Sequence, residues 1–228
     1  MTADLSGTFD PVDALRASYG AFAAVVETLD DDASWLPSGC TGWAVRDLVF
    51  HCAGDAQRAL VALHTPVSAP PDRDSVTYWR DWGADQTGAA NGRRWARVSA
   101  SMFLDFGQLR ELYLETAAAT VVAGAAADPT RTVRTQGHVL RAGDLLTTLA
   151  VEATVHHLDL TVSLPGAAPP APEGLAAVRA TLDGLLGRPV PLDWSDEHYA
   201  RAATGRAPLT QEERRALGSD ADRLPLLS

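Results

Sequence analysis

The chain has 228 residues, of which 46% are hydrophobic and 21% are charged, and this composition excludes an intrinsically disordered chain and a collagen-like repeat. The formal net charge of −10 argues against a nucleic acid or an anionic membrane as the main partner, because a surface that binds phosphate groups needs excess positive charge. The longest apolar stretch, Thr116 to Ala127, is shorter than the roughly 20 residues of a membrane-spanning helix, and residues 1–4 lack the pattern of a secretory signal, so a cytoplasmic location is expected.

Residue usage indicates a GC-rich bacterial genome. All 19 basic residues are arginines, the chain contains no isoleucine, and Asn91 is the single asparagine. The two cysteines, Cys40 and Cys52, belong to no paired motif that would bind a metal or form a redox centre. In a cytoplasmic chain they are expected to be reduced, structural thiols and not a disulfide.

The first two predicted helices are separated by a loop rich in proline and glycine at residues 36–42. Asp10 and Pro11 suit the capping position and the first position of a helix, and apolar residues recur every three or four positions between Leu15 and Leu29. The second helix is expected from about Trp43 to Leu63, where the apolar residues again keep helical spacing.

Two further long helices and a small hairpin are expected next. The third helix is predicted over Arg93 to Ala126, and the fourth over Ala142 to Leu164. Between them, Thr132 to Leu140 alternates β-forming residues around Gly137, which indicates a hairpin. Four helices of this length, joined by a few longer connections, predict an all-α fold built on a four-helix bundle.

The residues after 166 predict a short helical extension, which divides the chain into a bundle at 1–166 and an extension at 167–228. A segment rich in proline and alanine comes first, and Thr210 and Glu213 match a capping box at the last helix. An extension of this size is too small to form its own core and is expected to pack on the bundle. Three short helices are expected in it: Gly174–Leu186, Trp194–Ala203 and Thr210–Leu217.

The fourth predicted helix carries a stripe of side chains that begins apolar and becomes ionisable. Leu145, Leu149, Glu152, His156 and Asp159 follow one another at steps of four, three, four and three, so they share one face. That face should point to the core, where an unpaired carboxylate costs several kcal/mol. A carboxylate and an imidazole one turn apart could hold a metal ion together, and the alternative is an ion pair that faces solvent.

A third donor is available on the second predicted helix. His51 lies at the edge of its buried stripe, although a packed or half-exposed histidine would fit there too. His51, Glu152 and His156 together would supply two nitrogens and one oxygen, the ligand set of a catalytic zinc site with one open position. Asp55 and Asp159 are candidate acceptors that orient the two imidazoles, or else ordinary surface carboxylates.

Two segments resemble the motifs of a known family. Residues 35–51, WLPSGCTGWAVRDLVFH, resemble the segment that opens the second helix of the mycothiol-dependent maleylpyruvate isomerase family, which belongs to the DinB-like superfamily of metal-binding four-helix bundles. Residues 151–160, VEATVHHLDL, are similar to the second motif of that family. The resemblance covers residues 10–165 approximately, and it implies a DinB-like bundle with a divalent metal, usually zinc, at His51, Glu152 and His156.

The resemblance also implies a function. Thr204-Gly205-Arg206 resembles a C-terminal element of the isomerases in which an arginine helps to bind the anionic substrate, so Arg206 is the candidate catalytic arginine. Family members use mycothiol, so the resemblance implies an actinobacterial enzyme in which a metal-bound mycothiol thiolate adds to a small electrophile that carries a carboxylate. The enzyme would be an isomerase or an S-transferase. The extension is shorter than the C-terminal domain of the isomerases, which leaves the substrate open.

Two other functions fit the same residues. A metal-bound water would make the protein a hydrolase that needs no thiol, and a filled fourth coordination position would make it a non-enzymatic metal-binding or ligand-binding module. Cys40 and Cys52 are expected to be poorly placed to act at the metal. The sequence is equally compatible with a monomer and with a homodimer. Several arginines either bind an anion or lie on solvated helix faces: Arg46, Arg93, Arg94 and Arg97.

Overall fold

A computed structural model describes residues 9–81 and 86–227 of the chain. Helices dominate this part of the chain, and the predicted all-α class is confirmed. No helix within the described ranges is both long and apolar enough to cross a membrane. The helices are α1 (Pro11–Glu27), α2 (Asp31–Ser34), α3 (Val45–His64), α4 (Gln86–Ala100), α5 (Phe106–Ala126), α6 (Ala142–Leu160), α7 (Pro172–Leu186), α8 (Asp196–Ala203) and α9 (Gln211–Leu217), and the strands are β1 (Thr132–Thr135) and β2 (His138–Arg141).

The four-helix bundle consists of α1, α3, α5 and α6. Helix α1 packs against α5 and α6, and α3 packs against the same two helices. Each of the four contributes large buried side chains to one shared core, among them Phe22, Leu48, Leu109 and Leu146. These residues belong to the apolar stripes that run along each helix, so the predicted bundle is confirmed.

The predicted helix caps are formed near both ends of the chain. The Asp10 carboxylate accepts hydrogen bonds from the backbone N–H groups of Val12 (2.7 Å) and Asp13 (3.1 Å). At α9, the Thr210 hydroxyl accepts from the backbone N–H of Glu213 (3.2 Å), while the Glu213 carboxylate accepts from the backbone N–H of Thr210 (2.7 Å). Each cap satisfies N–H groups that the helix itself leaves unpaired and stabilises its helix by about 1 kcal/mol.

The single helix predicted over Arg93 to Ala126 is wrong, because two helices, α4 and α5, occupy this part of the chain. Asp105 caps α5 by accepting from the backbone N–H of Gln108 (3.1 Å). Asp31 accepts from the backbone N–H of Phe106 (2.9 Å), although it lies 75 residues away in sequence. These carboxylates satisfy N–H groups that a continuous helix would have bonded internally, so they stabilise the break.

The predicted hairpin is confirmed, and its turn lies beside the bundle. The strands pair antiparallel with Thr135 opposite His138, which leaves Gln136 and Gly137 as a two-residue turn. Both turn residues have positive φ, 48° and 86°, as a type I′ turn requires. Strand β1 packs on α3, so the turn lies close to the helix that carries His51.

The extension packs on one side of the bundle. Helix α7 contacts α1 and α6, and α8 contacts α7. A second apolar cluster joins Val151 and Leu158 of α6 to Leu182 of α7 and Tyr199 of α8. The extension therefore shares its core with α6, the helix whose other face carries Glu152 and His156.

We expect Gly174→Ala to destabilise the contact between α7 and the bundle. A Cβ atom at Gly174 would lie 2.2 Å from Thr154 Oγ1 and 2.4 Å from Ser18 Oγ, two hydroxyls that hydrogen-bond each other at 3.0 Å. Overpacking of this kind costs about 1–3 kcal/mol, which urea unfolding would measure. The matched control is Gly20→Ala in α1, where a Cβ meets nothing within 4 Å. That substitution should stabilise the protein by about 0.5–1 kcal/mol, and a similar loss in both variants would contradict the prediction.

Candidate metal centre

Three side chains from two helices of the bundle converge at one place. His51 comes from α3, and Glu152 and His156 come from successive turns of α6. One donor atom from each residue lies within 4.8 Å of the others. The imidazoles of His51 and His156 meet edge to face with their centroids 4.9 Å apart. The predicted trio is therefore brought together, and its role as a metal site remains a prediction.

The spacing of these donors suits a small divalent cation. His156 Nε2 lies 3.4 Å from Glu152 Oε2, which is longer than a good hydrogen bond between these groups. Two ligands that share a tetrahedral zinc ion, each about 2.0–2.2 Å from it, are separated by about 3.4 Å. Two nitrogens and one oxygen with an open fourth position therefore fit zinc, and nickel, iron and manganese accept the same donor types.

The electrostatics of two of the three residues, Glu152 and His51, also fit a cation. Burial raises the pKa of Glu152 to about 7, against the opposing effect of His156. Burial lowers the pKa of His51, against the opposing effect of Asp55, which favours the neutral imidazole that has a lone pair free to coordinate. A positive ion between these groups would compensate the carboxylate charge that burial disfavours.

Asp159 contacts the imidazole of His156 on the side opposite Glu152, and Arg206 in turn contacts Asp159. Asp159 Oδ2 lies 3.0 Å from His156 Nδ1, so the Nδ1–H donates to the carboxylate and Nε2 faces Glu152. Arg206 donates from Nε to Oδ1 (2.8 Å) and from Nη2 to Oδ2 (2.7 Å) of the same Asp159. Burial would raise the pKa of Asp159, but the bonds from His156 and Arg206 outweigh it and hold that pKa far below its ordinary value.

Asp55 stands one turn after His51 on the same face of α3. Its Oδ2 lies 3.2 Å from His51 Nε2, and its Oδ1 lies 3.6 Å from Nη2 of Arg58. Its side chain is 12% exposed. Both carboxylates that the sequence singled out as partners of the histidines are thus in contact with them.

Cys40 lies behind His156, on the side of its Nδ1, so the expectation that the cysteines are poorly placed to act at the metal remains a prediction. Its Sγ lies 3.3 Å from Asp159 Oδ2 and 3.8 Å from His156 Nδ1, and the thiol is free and partly exposed. The loop at residues 36–42 contacts α6 through a hydrogen bond from the backbone N–H of Gly39 to the Asp159 carbonyl (2.8 Å). The approach is so close that a Cβ at Gly39 would lie 2.5 Å from Asp159 Oδ1. Cys52 is free and buried in the core, as expected.

A cavity of about 1150 Å³ opens beside the trio. His51, Glu152 and His156 form part of its wall, and Trp43 lies against the His51 ring with a centroid distance of 5.2 Å. The cavity is large enough for a small-molecule ligand in addition to an ion.

Other residues that the sequence singled out lie away from the trio. The His157 ring turns from the site and hydrogen-bonds the Ala168 carbonyl (2.8 Å). The two alternatives for Arg46, an anion ligand or a solvated face, are both wrong, because its buried guanidinium donates to two backbone carbonyls and lies 4.1 Å over the Trp35 ring. Three arginines are exposed on α4: Arg93, Arg94 and Arg97.

Comparison with known proteins agrees with the motifs. The sequence profile of the mycothiol maleylpyruvate isomerase N-terminal domain matches residues 15–161. Two similar solved structures are the mycothiol-dependent maleylpyruvate isomerase, with 19% identity, and its histidine-to-alanine mutant, with 20%. Each match covers 82% of this chain and 70% of the other, with a TM-score of 0.53, so the likeness concerns the fold. A search of curated proteins found no match.

Proposed function

Because the chain belongs to the family of the mycothiol maleylpyruvate isomerase N-terminal domain, we propose that it is a metal-dependent enzyme that uses mycothiol to isomerise, or to conjugate, a small electrophile. The observation that carries the proposal is the convergence of His51, Glu152 and His156 at the wall of a large cavity. A purely structural zinc site would normally be closed by four protein ligands, usually with cysteine among them.

His51, Glu152 and His156 would hold the metal, and zinc fits their donor atoms and spacing. When bound, a divalent metal of this kind lowers the pKa of a coordinated thiol and so makes the nucleophilic thiolate available at neutral pH. Glu152 supplies the negative charge of the site, and the neutral imidazole of His51 supplies a lone pair from the opposite helix.

The extension would complete the site that the bundle provides. Arg206, from residues 167–228, holds Asp159, and Asp159 fixes the ring of His156. The remaining N–H groups of Arg206 would be donors for an anionic substrate, since three of its five are used by Asp159 and the Thr204 carbonyl. Arg206 thus serves the site by positioning His156 and by facing the substrate.

Mycothiol would supply a sulfur that adds to the electrophilic carbon of the substrate. If the thiol leaves again after rotation about the former double bond, the product is the trans isomer, and if it stays, the product is an S-conjugate. The chain's own residues then have to place the substrate, exclude competing water and keep His156 oriented. The cavity wall, Trp43 and Asp159 serve these tasks.

The proposal is tested by metal analysis combined with a thiol-dependent assay. We expect about one zinc ion per chain, and maleylpyruvate isomerisation that requires mycothiol and is lost on chelation. Monochlorobimane would serve as a second electrophile, because mycothiol conjugation to it reports S-transferase activity. A metal-loaded protein that is inactive on both electrophiles with mycothiol, or that hydrolyses a substrate without any thiol, would overturn the proposal.

A further inference from the structure

Arg58 and Gln136 form a second group of polar side chains at the cavity, away from Arg206. Both line the large cavity, and both also line a small pocket of about 20 Å³ whose wall includes Glu152. That pocket has room for about one water molecule. The two residues therefore lie on a part of the wall, together with Glu152, that the small pocket and the large cavity share.

Arg58 continues the face of α3 that carries His51 and Asp55. The three residues are spaced at i, i+4 and i+7, which places them on one side of the helix. Arg58 Nη2 lies 3.6 Å from Asp55 Oδ1, which is beyond hydrogen-bond distance, and its side chain is 45% exposed. Among the contacts of the described residues, the guanidinium thus has one loose ion pair at the cavity wall, so its N–H groups are available to donate to a ligand.

The contrast with Arg206 shows which arginine is better placed to receive a carboxylate. Arg206 makes two short bonds to Asp159 and is only 22% exposed, so its charge is already balanced by a buried carboxylate. Arg58 shares Asp55 with His51 and has no comparably close partner among its described contacts. A planar guanidinium without a close ionic partner is suited to bidentate binding of a carboxylate.

Gln136 is an unusual residue for its position in the hairpin turn. Its φ of 48° is one that asparagine and glycine adopt more readily, so the turn itself does not account for a glutamine. Gln136 lines the same cavity wall as Arg58, and its side chain is one methylene longer than that of asparagine. An amide N–H donates to carboxylate oxygens without adding charge.

We infer that Arg58 and Gln136 form a second anion subsite besides that of Arg206, and that this subsite binds a carboxylate of the substrate. The carboxylate accepts two N–H bonds from Arg58 and one from Gln136, while the electrophilic carbon lies toward His51, Glu152 and His156. The inference rests on the proposed function and narrows its substrates to small electrophiles that carry a carboxylate within reach of this wall.

The test compares Arg58→Gln with Arg94→Gln, which removes an exposed arginine of α4 that is not among the lining residues of the cavity. Two quantities are measured on the zinc-loaded protein: KM for maleylpyruvate with mycothiol, and the Kd for maleate by calorimetry without thiol. Arg58→Gln should raise both by about 10- to 100-fold, the loss expected for a charged hydrogen-bonded contact. For Arg94→Gln, kcat, KM and the Kd for maleate should all stay within about twofold of the wild-type values, as for a solvated surface charge.

Gln136→Asn keeps a residue that suits the turn while drawing the amide back from the cavity. It should raise the Kd for maleate by about 3- to 10-fold without lowering the melting temperature. Unchanged KM and Kd in Arg58→Gln, or a wild-type protein that binds no maleate, would overturn the subsite. If maleate binding depends on Arg58 but no isomerisation or conjugation occurs, the proposed function fails and the subsite stands.

Discussion

Replacing His51 with alanine is expected to remove the bound metal and to lower kcat/KM for maleylpyruvate by more than about 100-fold. Loss of a residue that only orients a metal ligand already costs about 10- to 100-fold, and loss of a ligand should cost more. Without His51, the two donors left in the trio come from successive turns of α6 and hold the ion from one side only. Metal content per chain and steady-state kinetics measure both effects.

The control for this substitution is His64→Ala on the same helix. His64 is exposed at the end of α3, and its Nδ1 lies 2.9 Å from the Leu60 carbonyl. Removing it deletes an imidazole without touching the cavity, so metal content and kinetics should match those of the wild type. A His51→Ala protein that keeps one metal per chain and full activity would contradict the metal centre and the mechanism built on it.

Asp159→Asn is expected to lower activity by about 10- to 100-fold and to weaken metal binding. The substitution removes the negative charge that pairs with Arg206 and His156, and it replaces one of the two acceptor oxygens with an NH2 group that cannot accept from them. The free energy of unfolding should fall by about 1–3 kcal/mol, less than for a fully buried pair, because the Arg206 side chain keeps 22% exposure. Urea unfolding, metal affinity and kcat/KM measure the three consequences.

A matched surface pair provides the control. Asp13 accepts a hydrogen bond from Arg16 at 2.6 Å, but the two side chains are 67% and 54% exposed. Asp13→Asn should therefore change the free energy of unfolding by less than about 1 kcal/mol and leave activity unaltered. If Asp159→Asn behaves in the same way, Asp159 does not position His156 and the contribution of the extension to the site is refuted.

Much of the candidate site could be predicted because its spacing is local. Glu152 and His156 lie one helical turn apart, and the stripe that contains them starts with core residues. The 3.6-residue period therefore predicted that both face inward from α6. The same local rules predicted the cap at Asp10 and the capping box at α9, because these involve groups within three residues of each other.

Contacts between segments that are distant in sequence could not be predicted from local spacing. The break between α4 and α5 depends in part on Asp31, which reaches the start of α5 from 75 residues away. Arg206 and Asp159 are 47 residues apart, and Cys40 reaches His156 across 116 residues. Nothing in the local pattern of these residues specifies which partner they meet.

The amino-acid sequence by itself therefore determined most of the helices and which side chains share the inward face of the helices that form the site. It also specified the donor types of the candidate metal centre and, through two motifs, the family of the chain. The tertiary structure alone decided that Arg206 pairs with Asp159, that Cys40 borders the site and that Arg58 and Gln136 share one wall. The physical reason is that backbone hydrogen bonding sets periodicity within a helix, whereas the packing of whole helices and loops decides which faces meet.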